Sequence, residues 1–128
     1  MNQAVTACVI IIGNEILSGR TQDTNLNHIA STLGGWGIQV HHARVIPDDE
    51  DIIVNTINEV RKTYGYVFTT GGIGPTHDDI TAVCVAKAFD VPIIQHPDIV
   101  ERIRQRPAPD DIMASRLLMA RVPEGAGL

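Results

Sequence analysis

The sequence predicts a three-layer α/β/α sandwich built around a mostly parallel sheet, and three observations predict it. Short strand-like runs alternate with segments whose apolar residues recur at helical spacing. A polar or glycine-rich loop follows each of the first three runs, at residues 13–19, 47–51 and 71–79. The composition is that of one globular domain: 128 residues, 44% hydrophobic and 20% charged, within the roughly 100–150 residues common for a domain. Alternating strands and helices favour parallel strands joined by helical crossovers. With five aromatic residues in the chain, the core must be aliphatic.

Residues 6–12 form an apolar run ending at Gly13, the pattern of a buried strand. Residues 13–19 read as a loop. Leu26, Ile29, Ala30 and Leu33 then fall on one helical face, with Asp23 or Thr24 as the cap and Gly34, Gly35 and Gly37 as the stop. Trp36, beside those glycines, is expected to pack inward. Residues 38–46 read as a second strand, broken by Pro47. His41 and His42 are adjacent in it, so they are expected on opposite faces. Asp48, Asp49, Glu50 and Asp51 place carboxylates where a helix dipole favours them, ahead of a stripe of Ile53, Ile57, Val60 and Tyr64. Residues 66–70 form a third strand, and Gly71-Gly72-Ile73-Gly74-Pro75 a tight turn. Asp78 or Asp79 is expected to start the next helix, with Ile80, Val83, Cys84 and Ala88 on one side. A short strand over 91–95, a helix from Pro97 carrying Ile99, Val100 and Ile103, and a helical stretch over 112–120 complete the chain.

Several function classes are disfavoured. The net charge is −5, and an acidic domain without a basic stripe is a poor partner for nucleic acid or anionic lipid. The apolar run 7–12 is six residues long, against about 20 for a membrane span. No Lys or Arg precedes Arg20, so a secretory leader is not expected. Cys8 and Cys84 form no CxxC pair and are expected as buried thiols in a reducing cytoplasm. The five histidines lack zinc-ligand spacing, and no serine or cysteine sits in a nucleophile motif.

In an open parallel sheet, the loops at the carboxyl ends of the strands share an edge, and ligands bind there. Glu15, Asp48, Asp49, Asp78 and Asp79 are therefore expected near one edge. The glycines after residue 70 suit close backbone approach to an anion, although a ligand-free strand-to-helix turn would use them equally well. Neither a Walker loop nor a dinucleotide fingerprint fits, because Pro75 follows Gly74 and His77 stands where a third glycine would. One aspartate of each pair suffices as a helix cap. The other could contribute to a hydrated Mg²⁺, which takes one or two carboxylates plus substrate phosphates.

These residues resemble a known family. Thr70-Gly71-Gly72-Ile73-Gly74-Pro75-Thr76-x-Asp78-Asp79-Ile80-Thr81 is similar to the signature of molybdopterin-binding domains of the molybdenum-cofactor biosynthesis type. Gly13-x-Glu15-Ile16-Leu17-x-Gly19 with Asp23-x-Asn25, Val45-Ile46-Pro47-Asp48-Asp49, and Val122-Pro123-Glu124-Gly125-Ala126 resemble its other motifs. Within the family the sequence is most similar to the amino-terminal domain of CinA-type, competence/damage-inducible proteins. The resemblance implies a single domain over residues 1–128 that stops short of the family's C-terminal segment. It implies ligand binding by Gly13, Glu15, Thr70, Gly71, Gly72, Gly74 and Asp78. Asp48 and Asp79 match two important aspartates, as catalytic or Mg²⁺-binding groups. The adenylyltransferase branch usually has Thr where Ile73 stands and Arg where Asp78 stands, which points away from molybdopterin adenylylation.

The expected function is binding of molybdopterin or a related pterin or nucleotide. One alternative is a Mg²⁺-dependent pyrophosphatase acting on ADP-ribose-like dinucleotides, an activity linked to CinA-type domains. Another is a non-catalytic assembly or regulatory module. Homo-oligomerisation is expected from the resemblance alone.

Overall fold

The Val- and Ile-rich run becomes β1 (Val5–Ile12), the middle strand of a parallel sheet ordered β2-β1-β3 in a computed structural model that describes residues 5–128. Residues Ala7 through Ile12 are all buried. An unbroken apolar run, rather than an alternating one, is what a strand covered on both faces requires. Gly13 follows, and residues 14–17, expected as loop, instead close one short helical turn, α1 (Asn14–Leu17). Then come α2 (Asn25–Gly35), β2 (Ile38–Ile46), α3 (Glu50–Val60) and β3 (Tyr66–Thr70). Ile12 pairs with Ile46 and Ile11 with Thr70, so the carboxyl ends of the three strands lie side by side. That register brings Gly13, Pro47 and Gly71 to one edge of the sheet.

These elements belong to the first of two compact units, which ends at Gly71. The second, Gly72–Leu128, contains α4 (Thr81–Ala88), β4 (Ile93–Gln95), α5 (Pro97–Arg104), α6 (Asp110–Leu117), a 3-10 turn (Leu118–Ala120) and β5 (Arg121–Pro123). β4 and β5 pair antiparallel, with Ile94 opposite Val122. A strand over residues 121–123 is not apparent from periodicity, because three residues are too few to show alternation. The expected α/β class with a parallel sheet is what the chain adopts.

Several local expectations are narrowed or corrected. Asp23, not Thr24, satisfies the start of α2: its Oδ2 accepts from the Leu26 N–H at 3.0 Å, while Thr24 makes no capping bond with its side chain. Trp36 is 73% exposed, because it follows the last turn of α2 and precedes Gly37 (φ +81°), where the chain turns away. The sheet register slips between Ala7 and Cys8, whose β2 partners are Val40 and His42. His41 is the extra residue of this bulge, and a bulge breaks strict alternation. Both imidazoles therefore lie about Tyr64, with ring centroids at 6.0 Å (His41) and 5.9 Å (His42), instead of on opposite faces. Tyr64 itself lies past the end of α3.

The acidic start of α3 behaves as expected. The Asp49 carboxylate accepts from the Ile52 N–H at 3.1 Å, and Ile53, Ile57 and Val60 are buried. Asp49→Ala is expected to cost about 1 kcal/mol, the usual worth of such a cap, read as a lower urea midpoint at unchanged slope. An unchanged midpoint would mean that the cap is dispensable.

Candidate functional site

In the first unit, the carboxyl edge is closed by a reciprocal clasp between the loops after β1 and β2. The Asn14 side-chain oxygen accepts from the Asp48 N–H at 3.1 Å, and an Asp48 carboxylate oxygen accepts from the Asn14 N–H at 3.4 Å. The Gly13 N–H donates to the Ile46 carbonyl at 3.0 Å, extending the β1–β2 ladder by one bond. Glu15 is half-buried and turned back on Gly13, where an added Cβ would stand 2.6 Å from its Oε1. Thr70 ends β3, half-buried. Gly71 has φ +89°, and a Cβ there would stand 2.0 Å from the Ile12 carbonyl oxygen. The close backbone approach predicted for the glycines occurs here, against the protein's own main chain.

In the second unit, Gly72 (φ +66°) accepts from the Thr81 N–H through its carbonyl at 3.1 Å, and a Cβ on it would stand 2.2 Å from Thr81 Oγ1. Neither Asp78 nor Asp79 caps α4, contrary to expectation. The N-cap position is Ile80, which makes no side-chain bond. Asp79 instead folds back into its own loop. One carboxylate oxygen accepts from both the N–H and the hydroxyl of Thr76, each at 2.9 Å. The Thr76 N–H bond is the main reason the Asp79 carboxyl lies below its usual range, despite partial burial. The Gly74 N–H and the charge of Arg121 add to the effect. Gly74 leaves room for this turn, since a Cβ there would stand 2.8 Å from Asp79 Oδ2. Arg121 ties the loop to the start of β5, donating to the Asp79 carbonyl at 3.0 Å and to the Leu118 carbonyl at 3.0 Å.

Asp78 differs from its neighbour. Its side chain is 88% exposed and, among the described residues, meets the exposed His77 at 3.5 Å. Among the described residues, the backbone N–H groups of Ile73, His77 and Asp78 have no acceptor. All three residues are exposed. Unpaired amides on a glycine-rich turn held in shape by one aspartate are a donor set for an anion.

Sequence reasoning missed Asn14, Thr76 and Arg121. Thr76 carried a signal, because Thr-x-x-Asp is capping-box spacing, and half of that box forms. Arg121, 42 residues from Asp79, carried none. Among the described residues, no group of three or more His, Cys, Asp or Glu side chains gathers as metal ligands, and no helix is long and apolar enough to cross a membrane.

The chain matches, over residues 8–125, the model of a family described as a probable molybdopterin binding domain. It is 35% identical over 127 residues to a CinA-like protein of Gloeobacter violaceus, covering 96% of this chain and 29% of that one. It is 42% identical over 89 residues to a protein of Caenorhabditis elegans named a probable FAD synthase, covering 70% of this chain and 17% of the relative. The crystal structure of the CinA protein of Thermoplasma acidophilum, of unknown function, superposes with a TM-score of 0.85 at 36% identity, covering 94% of this chain and 72% of that one. The chain spans half or less of the length of the curated relatives it matches.

Proposed function

Because the chain belongs to the molybdopterin-binding domain family and is of the CinA type, we propose that it binds a phosphate-bearing pterin through the turn over residues 71–79. The observation that carries this reading is the set of free amides at Ile73, His77 and Asp78, on a loop fastened by Asp79. A phosphate accepts several hydrogen bonds at once, and backbone donors already in place lose little freedom when it arrives. Gly71 and Gly72 make the turn possible, Asp79 holds it, and Asp48 holds the loop after β2 through Asn14. Gly13, Glu15, Thr70 and Gly74 contribute backbone or shape to the same loops. Mg²⁺ belongs to the proposal only as a companion of the ligand's phosphate, since one or two carboxylates plus phosphate oxygens satisfy it. A cytoplasmic setting is supported by Cys8 and Cys84, each a buried thiol outside any disulfide. Self-association is carried over from the family resemblance and is read by sedimentation.

Thermal denaturation with a ligand panel tests the proposal. Molybdopterin or a stable pterin phosphate, ADP-ribose, ATP and FAD are each added with and without Mg²⁺. A ligand that binds only the folded chain adds about 2.7 kcal/mol at a hundredfold excess over its dissociation constant. A selective upward shift with the pterin phosphate is expected. Metal-dependent release of AMP from ADP-ribose would turn the reading to pyrophosphate hydrolysis. No shift with any compound would leave assembly or regulation as the function.

A further inference from the structure

The second unit contains a cavity that no part of the proposed function uses. It lies between α5, α6 and the 3-10 turn, with a volume of about 710 Å³, and is lined by Ile99, Arg102, Ile103, Arg106, Arg116 and Met119, with Gln105. That size falls within the roughly 300–1,000 Å³ typical of small-molecule pockets. Three arginines line it and no acidic residue does, although the chain as a whole carries a net charge of −5. The side chains of Arg102 and Arg106 have no hydrogen-bond or ion-pair partner among the described residues. Arg116 is half-buried and donates to the Arg106 carbonyl at 3.3 Å, which offsets the negative end of α5. Helix-end electrostatics therefore account for Arg116, but they need no further cation at the same place. Like charges around one cavity repel, and an anion among them relieves that repulsion.

We propose that this cavity is a binding site for a nucleoside diphosphate. The diphosphate would lie on Arg102, Arg106 and Arg116, whose planar, forked donors suit phosphate oxygens. Ile99 and Ile103 stand one helical turn apart on α5 and, with Met119, supply an apolar surface for a base. Methionine sulfur makes favourable contacts with aromatic rings, and guanidinium groups stack on them. Inorganic pyrophosphate would satisfy only the charged part of the cavity, and adenosine only the apolar part.

The test uses the full chain, labelled with ¹⁵N and titrated with ADP, pyrophosphate or adenosine. ADP is expected to shift amides over residues 99–119 saturably, and more tightly than either fragment. Arg102→Ala and Arg106→Ala remove exposed side chains without partners, so both variants are expected to fold. Each is expected to weaken ADP binding at those amides about tenfold or more, and added salt to weaken it further. ADP shifts confined to residues 71–79, or unaltered affinity in both arginine variants, would overturn the proposal. Shifts by a glutamate-rich peptide without shifts by ADP would also overturn it and assign the cavity to an acidic segment.

Discussion

Gly71→Ala is expected to destabilise the chain by about 3 kcal/mol or more, whereas Gly19→Ala should cost about 1 kcal/mol. Both glycines have left-handed φ, +89° at Gly71 and +80° at Gly19, so both substitutions carry the left-handed penalty. Their surroundings differ. A Cβ at Gly19 meets nothing within 4 Å, whereas one at Gly71 stands 2.0 Å from the Ile12 carbonyl oxygen. A backbone oxygen cannot rotate aside as a side chain can. Relief must come from moving the end of β1 or the start of the turn, and β1 is buried and bonded to strands on both sides. Urea unfolding of the two variants measures the difference as a change in midpoint at constant slope. Equal stabilities would mean that the contact relaxes without cost and that only φ matters at Gly71. The same substitution is expected to abolish ligand binding by the turn even where the chain remains folded.

The three parallel strands were legible for two reasons: β1 is an uninterrupted apolar run covered on both faces, and each of β1, β2 and β3 is closed by a glycine or proline. The clustering of Gly13, Pro47 and Gly71 at one edge followed from strand direction alone. The bulge at His41 was not legible, since Gln39, His41, His42 and Arg44 leave too few apolar residues in β2 to show where its alternation breaks. Nor was Arg121, whose hydrogen bond to the Asp79 carbonyl comes from β5, a three-residue strand that pairs with the equally short β4 (Ile93–Gln95), far earlier in the chain. The aspartate pair is the most instructive case. Residue type allowed either to cap α4. The structure instead engages Asp79 with Thr76 and leaves Asp78 in solvent. What separates the two is the Thr-x-x-Asp spacing, which Asp79 completes and Asp78 does not.

Asp79→Asn is accordingly expected to weaken pterin-phosphate binding about tenfold to a hundredfold, or roughly 1.4–2.8 kcal/mol, while Asp78→Ala leaves it nearly unchanged. The amide keeps the size of the carboxylate and one accepting oxygen, but not the charge that strengthens the bonds from Thr76. The loop then orders itself at the expense of ligand affinity. An independent readout comes from acid. The Thr76 N–H holds the Asp79 carboxyl below its ordinary value, with further help from the Thr76 hydroxyl, the Gly74 N–H and Arg121. A carboxyl whose pKa is lower in the folded chain stabilises that chain above the unfolded pKa, near 3.9. The contribution disappears as pH falls through the folded pKa, so the loss begins near pH 4 and continues below it. Stability against pH should therefore fall less steeply in Asp79→Asn than in the natural chain across that window, with Asp78→Ala following the natural curve. Calorimetric titration of the three proteins with a pterin phosphate, beside their unfolding from about pH 7 downward, separates the two roles. Reduced acid sensitivity in Asp79→Asn with unaltered affinity would confine Asp79 to the fold and remove it from the binding site. Parallel losses from Asp78→Ala and Asp79→Asn would mean that negative charge on this loop, rather than the Thr76 clasp, is what the ligand requires.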